Sequence, residues 1–140
     1  MKSSRKILAL SLFVGLMLAG CASGPWEILH EEDWVLQTLN GQEVPEDSPE
    51  ITLNFGADGR LAGTAGCNNY SGPYTYTAAK NKIKIGSISR TFKICNPSEI
   101  MQQERQYLEK LVSALKYRIE DDQLELQSEN GISLLVFEQD

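Results

Sequence analysis

The amino-acid sequence predicts an α+β fold, in which about eight or nine short strands form a mainly antiparallel sheet packed against one amphipathic helix. Short segments of alternating apolar and polar residues follow one another between turn-forming pairs. Most links between these segments are too short for parallel crossovers, which favours antiparallel pairing. Near residue 100 the apolar period changes from two residues to 3.6, which indicates a single helix.

The strands are predicted from alternation and from the turns that bound them. Residues 33–39 end at Asn40-Gly41, and residues 51–65 form a hairpin around Asp58-Gly59. In the first arm of this hairpin Ile51, Leu53 and Phe55 share one face. The other predicted strands cover residues 73–77, 82–86, 87–94, 116–120, 123–127 and 132–138.

One helix is predicted at about residues 97–115. Asn96 is expected as the N-cap, with Pro97 at the first helical position and Glu99 at the third. The apolar stripe that should cover an opening or a face of the curled sheet consists of Ile100, Tyr107, Leu108, Leu111, Val112 and Leu115. The residues expected to face water are Glu104, Arg105, Glu109 and Lys110.

The N-terminal segment predicts export. A positively charged start precedes an uncharged apolar run over residues 7–20, which as a helix is about 21 Å long and too short for the hydrocarbon core of roughly 30 Å. Residues 18–21 then read LAGC and resemble the bacterial lipobox. The resemblance implies that residues 1–20 are a removed lipoprotein signal peptide and that Cys21 carries a lipid anchor. The alternative is an ordinary signal peptide that leaves a free Cys21.

The anchor sets the expected organisation of the mature chain. Residues 21–32 form a lipidated tether, and residues 33–140 form one folded domain. By resemblance to Gram-negative sorting rules, Ala22 favours an outer-membrane lipoprotein that faces the periplasm, with exposure at the cell surface as the other orientation. The expected partners are therefore the membrane, through the lipid, and a protein or envelope component that the sequence does not identify.

Charge is strongly segregated along the chain, whose formal net charge is −6. Residues 22–58 hold nine acids and no Lys or Arg, whereas residues 59–98 hold six bases and no acid. The basic stretch is either a face for an anionic partner or a set of solvated strand edges that discourage edge pairing. Because the rest of the chain is acidic, nucleic-acid binding is not expected.

If lipid occupies Cys21, then Cys67 and Cys95 remain as a pair. The oxidising periplasm favours a disulfide between them, with reduced buried thiols as the alternative. A catalytic or metal-binding thiol is disfavoured, because the only histidine, His30, lies in the predicted tether. We expect neither a metal site nor a cofactor.

The candidate binding or structural loop lies at residues 63–72, which read GTAGCNNYSG. Its site residues are Gly66, Asn68, Asn69, Tyr70 and Gly72. Glycine permits positive φ and close approach of neighbouring strands, and asparagine can bond to backbone groups that leave a ladder. We therefore expect a structural role first and a contact surface second.

The tyrosines in and after this loop have different expected roles. Tyr70 stands in the loop as a candidate contact residue. Tyr74 and Tyr76 share a strand face and are expected in the core or in a cross-strand ladder.

Several of these segments together resemble the META/HslJ-like domain over residues 33–137. They are WVLQTLNGQEV, ITLNFGADGRLAGTAGCNNYSGPY, ISRTFKIC, MQQERQYLEKL and QLELQSENGISLLVF. The most specific pieces are G-x-x-G-C-N-x-Y-x-G at residues 63–72 and T-x-x-x-C at residues 91–95. The resemblance implies a small, highly curved, barrel-like antiparallel sheet with a helix, and no catalytic activity or cofactor is established for the family.

Members of this family are often bacterial envelope lipoproteins linked to stress responses. The resemblance therefore implies a non-enzymatic, lipid-anchored protein that supports envelope integrity or a stress response by binding a protein or an envelope component. The alternative function is inhibition of a periplasmic hydrolase, such as a protease or lysozyme.

Overall fold

The computed structural model describes residues 29–30 and 33–140. Within these residues the chain forms ten strands, one complete α-helix and a 3-10 turn at Ala78–Lys80. Leu29 and His30 are also helical. The strands before the helix are β1 (Asp33–Leu39), β2 (Gln42–Glu43), β3 (Thr52–Phe55), β4 (Arg60–Thr64), β5 (Asn69–Thr77), β6 (Lys82–Ile85) and β7 (Ser89–Arg90). The helix α1 (Ser98–Ser113) is followed by β8 (Lys116–Glu120), β9 (Gln123–Gln127) and β10 (Ser133–Gln139).

Eight of the strands form a closed antiparallel barrel in the order β1-β3-β4-β5-β6-β8-β9-β10. Pairing of β10 with β1 closes it, with Trp34 opposite Gln139 and a register shift between Leu36 and Thr38. The short strand β2 pairs with β1, and β7 pairs with β5. The predicted α+β class with a barrel-like sheet is confirmed.

The interior of the barrel is apolar, as the alternation predicts. Leu53 and Phe55 are buried on one face of β3, and Ile51, just before the strand, is buried on the same side. Ile83 and Ile85 of β6 are buried as well. The helix contributes Tyr107 and Leu111 to the same core, and both are fully buried. Burial of this apolar surface is the main term that holds the sheet and the helix together.

The predicted turns lie between the strands they were expected to join. Asn40 and Gly41 both have positive φ, and so do Gly59, Asp121 and Gly131. Glycine adopts this conformation readily, and Asn and Asp tolerate it better than other residues. These local signals were therefore sufficient to locate the hairpins.

The helix is shorter than predicted at both ends. Pro97, not Asn96, holds the N-cap position, and no side chain caps the helix there. The extended backbone of Pro97 (φ −70°, ψ 168°) delays the first helical residue to Ser98. At the other end Ala114 is extended, and the Leu115 backbone N donates to Gln127 O at 2.9 Å as the chain enters β8.

Two predicted strands differ from the observed ones by four residues or more in total length. β5 begins at Asn69 and not at residue 73, so residues 69–72 of the predicted loop belong to the sheet. The predicted strand at residues 87–94 is reduced to Ser89–Arg90, because the chain beyond Arg90 bonds largely to the Asn68 side chain instead of to a strand.

Two residues of the predicted tether contact the barrel. Leu29 is fully buried, and its carbonyl accepts a hydrogen bond from Trp34 Nε1 at 3.5 Å. His30 Nδ1 lies 3.2 Å from Phe55 O and 3.1 Å from the Tyr74 hydroxyl. The predicted signal peptide, Cys21 and the rest of the tether lie outside the described residues. In the described part of the chain, no helix has the length and apolarity to span a membrane.

Candidate binding site

The connection between β4 and β5, residues 65–68, is largely buried. Cys67 is 6% exposed and Asn68 is completely buried. Gly66 has a φ of +96°, a backbone conformation that residues with a side chain rarely adopt. The tight connection is closed by the Ala65 N–H, which donates to Asn68 O at 2.8 Å.

The Asn68 side chain bonds to the segment that follows β7. Its Oδ1 accepts hydrogen bonds from Lys93 N at 2.7 Å and from the Thr91 hydroxyl at 2.8 Å. Its Nδ2 donates to Lys93 O at 3.1 Å. One amide side chain therefore pairs with both backbone groups of Lys93, as a neighbouring strand would.

Glu104 of the helix completes this buried cluster. Its carboxylate accepts from the Asn68 backbone N at 2.8 Å and from Asn68 Nδ2 at 3.0 Å. Arg90 Nη1 donates to the same carboxylate at 3.0 Å and supplies the opposite charge. Since Glu104 is only 1% exposed, the prediction that it faces water is wrong. A buried carboxylate needs such partners, because an unpaired one would carry a large desolvation cost.

The spacing of the helical stripe indicates that Glu104 lies on the face of the helix that packs against the sheet. It lies four residues after Ile100 and three before Tyr107, so it shares their face. Sequence reasoning placed it outward because carboxylates are rarely buried unless they are paired. By contrast, Val112 and Leu115 of the predicted stripe are 42% and 40% exposed.

The structure contains a disulfide between Cys67 and Cys95, whose Cα atoms are 5.9 Å apart. It joins the β4–β5 connection to the chain just before the helix. Together with Asn68 it holds both halves of the segment between β7 and α1. We call residues 91–95 the braced segment.

The apolar side chains of the braced segment are turned to solvent. Phe92 and Ile94 are each 86% exposed, the highest values among the large hydrophobic residues of the described chain. The Arg90 guanidinium carbon lies 5.2 Å from the centre of the Phe92 ring, which gives that ring a cation–π neighbour. The segment therefore combines a fixed backbone with exposed apolar groups.

Tyr70, the candidate contact residue, lies in β5 and is 3% exposed. Its hydroxyl donates to Thr52 O at 2.8 Å and lies 2.5 Å from the Tyr107 hydroxyl. Burial raises the pKa of both phenols well above the ordinary value, so both stay neutral at physiological pH. Tyr70 is therefore not placed to contact a partner, because its alternation in β5 turns it into the barrel.

The remaining candidate loop residues have backbone roles. Gly72 is buried, and a side chain there would meet Ile88 Cδ1 at 2.7 Å and Ser87 O at 2.9 Å. The Asn69 side chain is exposed, whereas its backbone N donates to the Thr91 hydroxyl at 3.2 Å and its carbonyl accepts from Thr91 N at 3.0 Å. Only Asn69 of the five predicted site residues presents its side chain to solvent.

Tyr74 and Tyr76 lie on one strand face, as predicted, but are exposed to different degrees. Tyr74 is 5% exposed and Tyr76 is 36% exposed, and their rings are stacked with centroids 6.3 Å apart. Burial raises the pKa of Tyr74 to about 12. His30 packs edge-on to Tyr76 at 5.6 Å, so the N-terminal approach to the barrel covers part of this face.

Neither an acid–base pair nor a metal site is evident in this cluster. The bonds to Glu104 come from Asn68 and Arg90, which leave its carboxylate no access to solvent. Across residues 29–30 and 33–140, no group of three His, Cys, Asp or Glu side chains is placed to hold a metal ion. What the arrangement does is fix the braced segment.

Comparison with known proteins agrees with this architecture. An NMR structure of a protein from Burkholderia xenovorans is 21% identical with a TM-score of 0.65, and the match covers 100% of this chain and 99% of that one. A second NMR structure is 23% identical with a TM-score of 0.61, and covers 80% of this chain and 92% of its own. A crystal structure of a DUF4847 family protein from Bacteroides vulgatus is 16% identical with a TM-score of 0.56, covering 82% and 96%.

At these identities the three structures show a shared fold and nothing further. No curated protein matches the chain. The model of the META domain, however, matches residues 27–140, which include every strand and the helix described above. The chain therefore belongs to the META domain family.

Proposed function

We propose that this protein is a non-enzymatic, lipid-anchored envelope protein, which supports envelope integrity or a stress response by binding another protein or an envelope component. Membership of the META domain family supports the general class. The LAGC sequence at residues 18–21 supports the anchor. The observation that carries the binding role is the braced segment.

Rigid exposure of apolar side chains distinguishes the braced segment from an ordinary loop. Phe92 and Ile94 are 86% exposed, and the backbone between them is held by Asn68. Neighbouring exposed apolar side chains mark a contact site more often than a singly scattered hydrophobic residue does. Because the backbone is ordered before contact, less conformational entropy is lost on binding.

The non-enzymatic part of the proposal rests on how the polar residues of the family motif are used. Asn68 and Glu104 are both buried and bond to each other, to Arg90 and to the braced segment. Their polar atoms are committed to structure and do not face a cleft. The motif therefore serves to present a surface.

Photo-crosslinking tests the binding role in cells. We expect p-benzoyl-phenylalanine at position 92 of the full chain to give light-dependent adducts with an envelope protein or component. Position 132 is the matched control, because Ile132 is also an exposed apolar residue, at 63%. Adducts from position 132 and none from position 92 would contradict the proposal.

Fatty-acid labelling tests the anchor separately. A clickable fatty acid should label the wild-type chain and not the Cys21→Ser variant, and the labelled protein should sediment with the outer membrane. Label that survives in Cys21→Ser would show that lipid is attached elsewhere or that the labelling is not specific.

Inhibition of an envelope hydrolase is the second candidate function, and the braced segment also favours it. An exposed segment held by a disulfide and by side-chain bonds can occupy an enzyme cleft with little loss of entropy. In this case the crosslinked partner should be one hydrolase, whose activity falls when the protein is added. The Phe92→Ser variant should then no longer inhibit the hydrolase, whereas the Ile132→Ser variant should still inhibit it.

A further inference from the structure

The braced segment has the hydrogen-bonding pattern of a sheet edge. Thr91 N donates inward to Asn69 O at 3.0 Å, and both backbone groups of Lys93 bond inward to the Asn68 side chain. Within the residues that the structure describes, the N–H and C=O groups of Phe92 and Ile94 have no hydrogen-bond partner. Alternate residues that bond to one side and face away on the other are typical of an edge strand.

We propose that this edge receives an extended segment of a partner protein as an added β-strand, with backbone bonds to Phe92 and Ile94. The incoming segment carries apolar side chains, which pack on Phe92 and Ile94, and an acidic side chain, which faces Lys93. The inference rests on the proposed binding function, since it names the mode of contact and the chemistry of the partner. Main-chain bonds give affinity in this mode, and alternate side chains give specificity.

Three fixed points prepare the edge for pairing. The Cys67–Cys95 disulfide holds one end, the Asn68 amide holds Lys93 in the middle, and the bond from Thr91 N to Asn69 O holds the other end. A strand that is already ordered loses little backbone freedom when another strand is added.

Charge distinguishes a different protein from a second copy of this chain. Lys93 is exposed, and among the described residues no carboxylate lies within ion-pair distance of it, whereas the charge of Arg90 is matched by Glu104. Two copies paired antiparallel about Lys93 would place two ammonium groups side by side, which is unfavourable. A segment with Asp or Glu at this position makes a favourable cross-strand pair instead.

A peptide titration followed by amide hydrogen exchange tests the mode of contact. The probe is a blocked peptide of about seven residues with alternating valine and aspartate, added to the full chain in detergent micelles. We expect exchange at the Phe92 and Ile94 amides to slow on binding. Exchange at Lys93 should not change, because its N–H is already bonded to Asn68.

Matched probes and variants separate backbone pairing from simple hydrophobic contact. The same peptide with N-methyl groups on alternate residues keeps its side chains but loses one hydrogen-bonding edge. We expect it to bind about tenfold more weakly, because it loses two or more backbone hydrogen bonds. Replacing aspartate by lysine in the peptide should also weaken binding. In the protein, Phe92→Ser with Ile94→Ser should weaken it, and Ile132→Ser should not.

Three outcomes would overturn the inference. The first is unchanged amide exchange at Phe92 and Ile94 with the peptide at millimolar concentration. The second is equal binding of the N-methylated and unmethylated peptides. The third is crosslinking from position 92 that joins only copies of this chain. A partner crosslinked from position 92 whose binding leaves both amides unprotected would keep the proposed function and overturn the added strand. Protection by the peptide without a cellular adduct at position 92 would support the edge and count against the proposed function.

Discussion

The connection at residues 65–68 and the braced segment at residues 91–95 contact each other, yet they place polar and apolar groups in opposite ways. The connection carries the polar Asn68, which is completely buried, whereas the braced segment carries Phe92 and Ile94, which are 86% exposed. Hydrophobicity alone would predict the reverse arrangement. The difference shows that the polar side chain is buried as a structural partner for a backbone that has left the sheet.

The stability of the buried cluster around Asn68 depends most on the Glu104 carboxylate. We expect Glu104→Ala to lower the free energy of unfolding by about 3–5 kcal/mol, because it leaves Arg90 and the Asn68 N–H groups without their acceptor. Chemical denaturation measures the loss. Glu109→Ala on the same helix is the control, since its side chain is 74% exposed. Equal effects from the two variants would mean that the buried cluster has no special stabilising role.

The disulfide joins the two regions, and its loss should have the next largest effect. Cys95→Ser should lower the free energy of unfolding by about 3–4 kcal/mol in the chain-entropy model, given the sequence separation of 28 residues. Thermal unfolding under oxidising conditions measures it. A reductant should destabilise the wild type by a similar amount and leave the variant unchanged. Alkylation of both Cys67 and Cys95 in freshly prepared, unreduced protein would contradict the bond itself.

Asn68 tests whether the connection is structural or is kept for its surface. Asn68→Ala should lower the free energy of unfolding by about 2 kcal/mol, because the Lys93 backbone groups lose their partner. It should also speed amide exchange at Lys93. The neighbouring Asn69→Ala should have little effect, since that side chain is exposed. An unchanged melting curve for Asn68→Ala would favour a surface role for the connection.

The exposed side chains of the braced segment should contribute little to the free energy of unfolding. Phe92→Ser combined with Ile94→Ser should change the free energy of unfolding by less than about 0.5 kcal/mol, because neither side chain is packed in the core. The same variant should lose the crosslinks and the peptide binding described above. A large loss of stability would show that these side chains serve the fold and not a partner.

Sequence reasoning succeeded where the deciding interactions are local. Alternation over a few residues placed Ile51, Leu53 and Phe55 inside, and the pairs at Asn40-Gly41 and Asp58-Gly59 placed the turns. Closure of the barrel through β1 and β10 depends on a register between distant strands, which no local pattern encodes. The family resemblance implies a highly curved, barrel-like sheet, but it does not specify the pairing of β1 with β10.

The same distinction explains the errors at the candidate site. Residues 91–94 alternate like a strand, but β5, the partner of β7, begins only at Asn69. The chain at Lys93 therefore bonds to the Asn68 side chain instead of to a strand. Tyr70 was read as part of a loop because the glycines around it hid the continuation of β5. Glu104 lay on the helical stripe, but its partners Asn68 and Arg90 come from other parts of the chain. Burial of a charge follows from such distant partners.

Closure of the barrel has a consequence for folding. β1 pairs with β10, and the Asp140 N–H donates to Asp33 O at 3.0 Å, so the first strand of the domain bonds to the final one. A chain that is synthesised from its N-terminus delivers β1 long before its partner. Contacts between such distant segments form slowly, because a long loop must be closed first. The edge of β1 that faces β10 therefore stays unpaired until β10 has been synthesised.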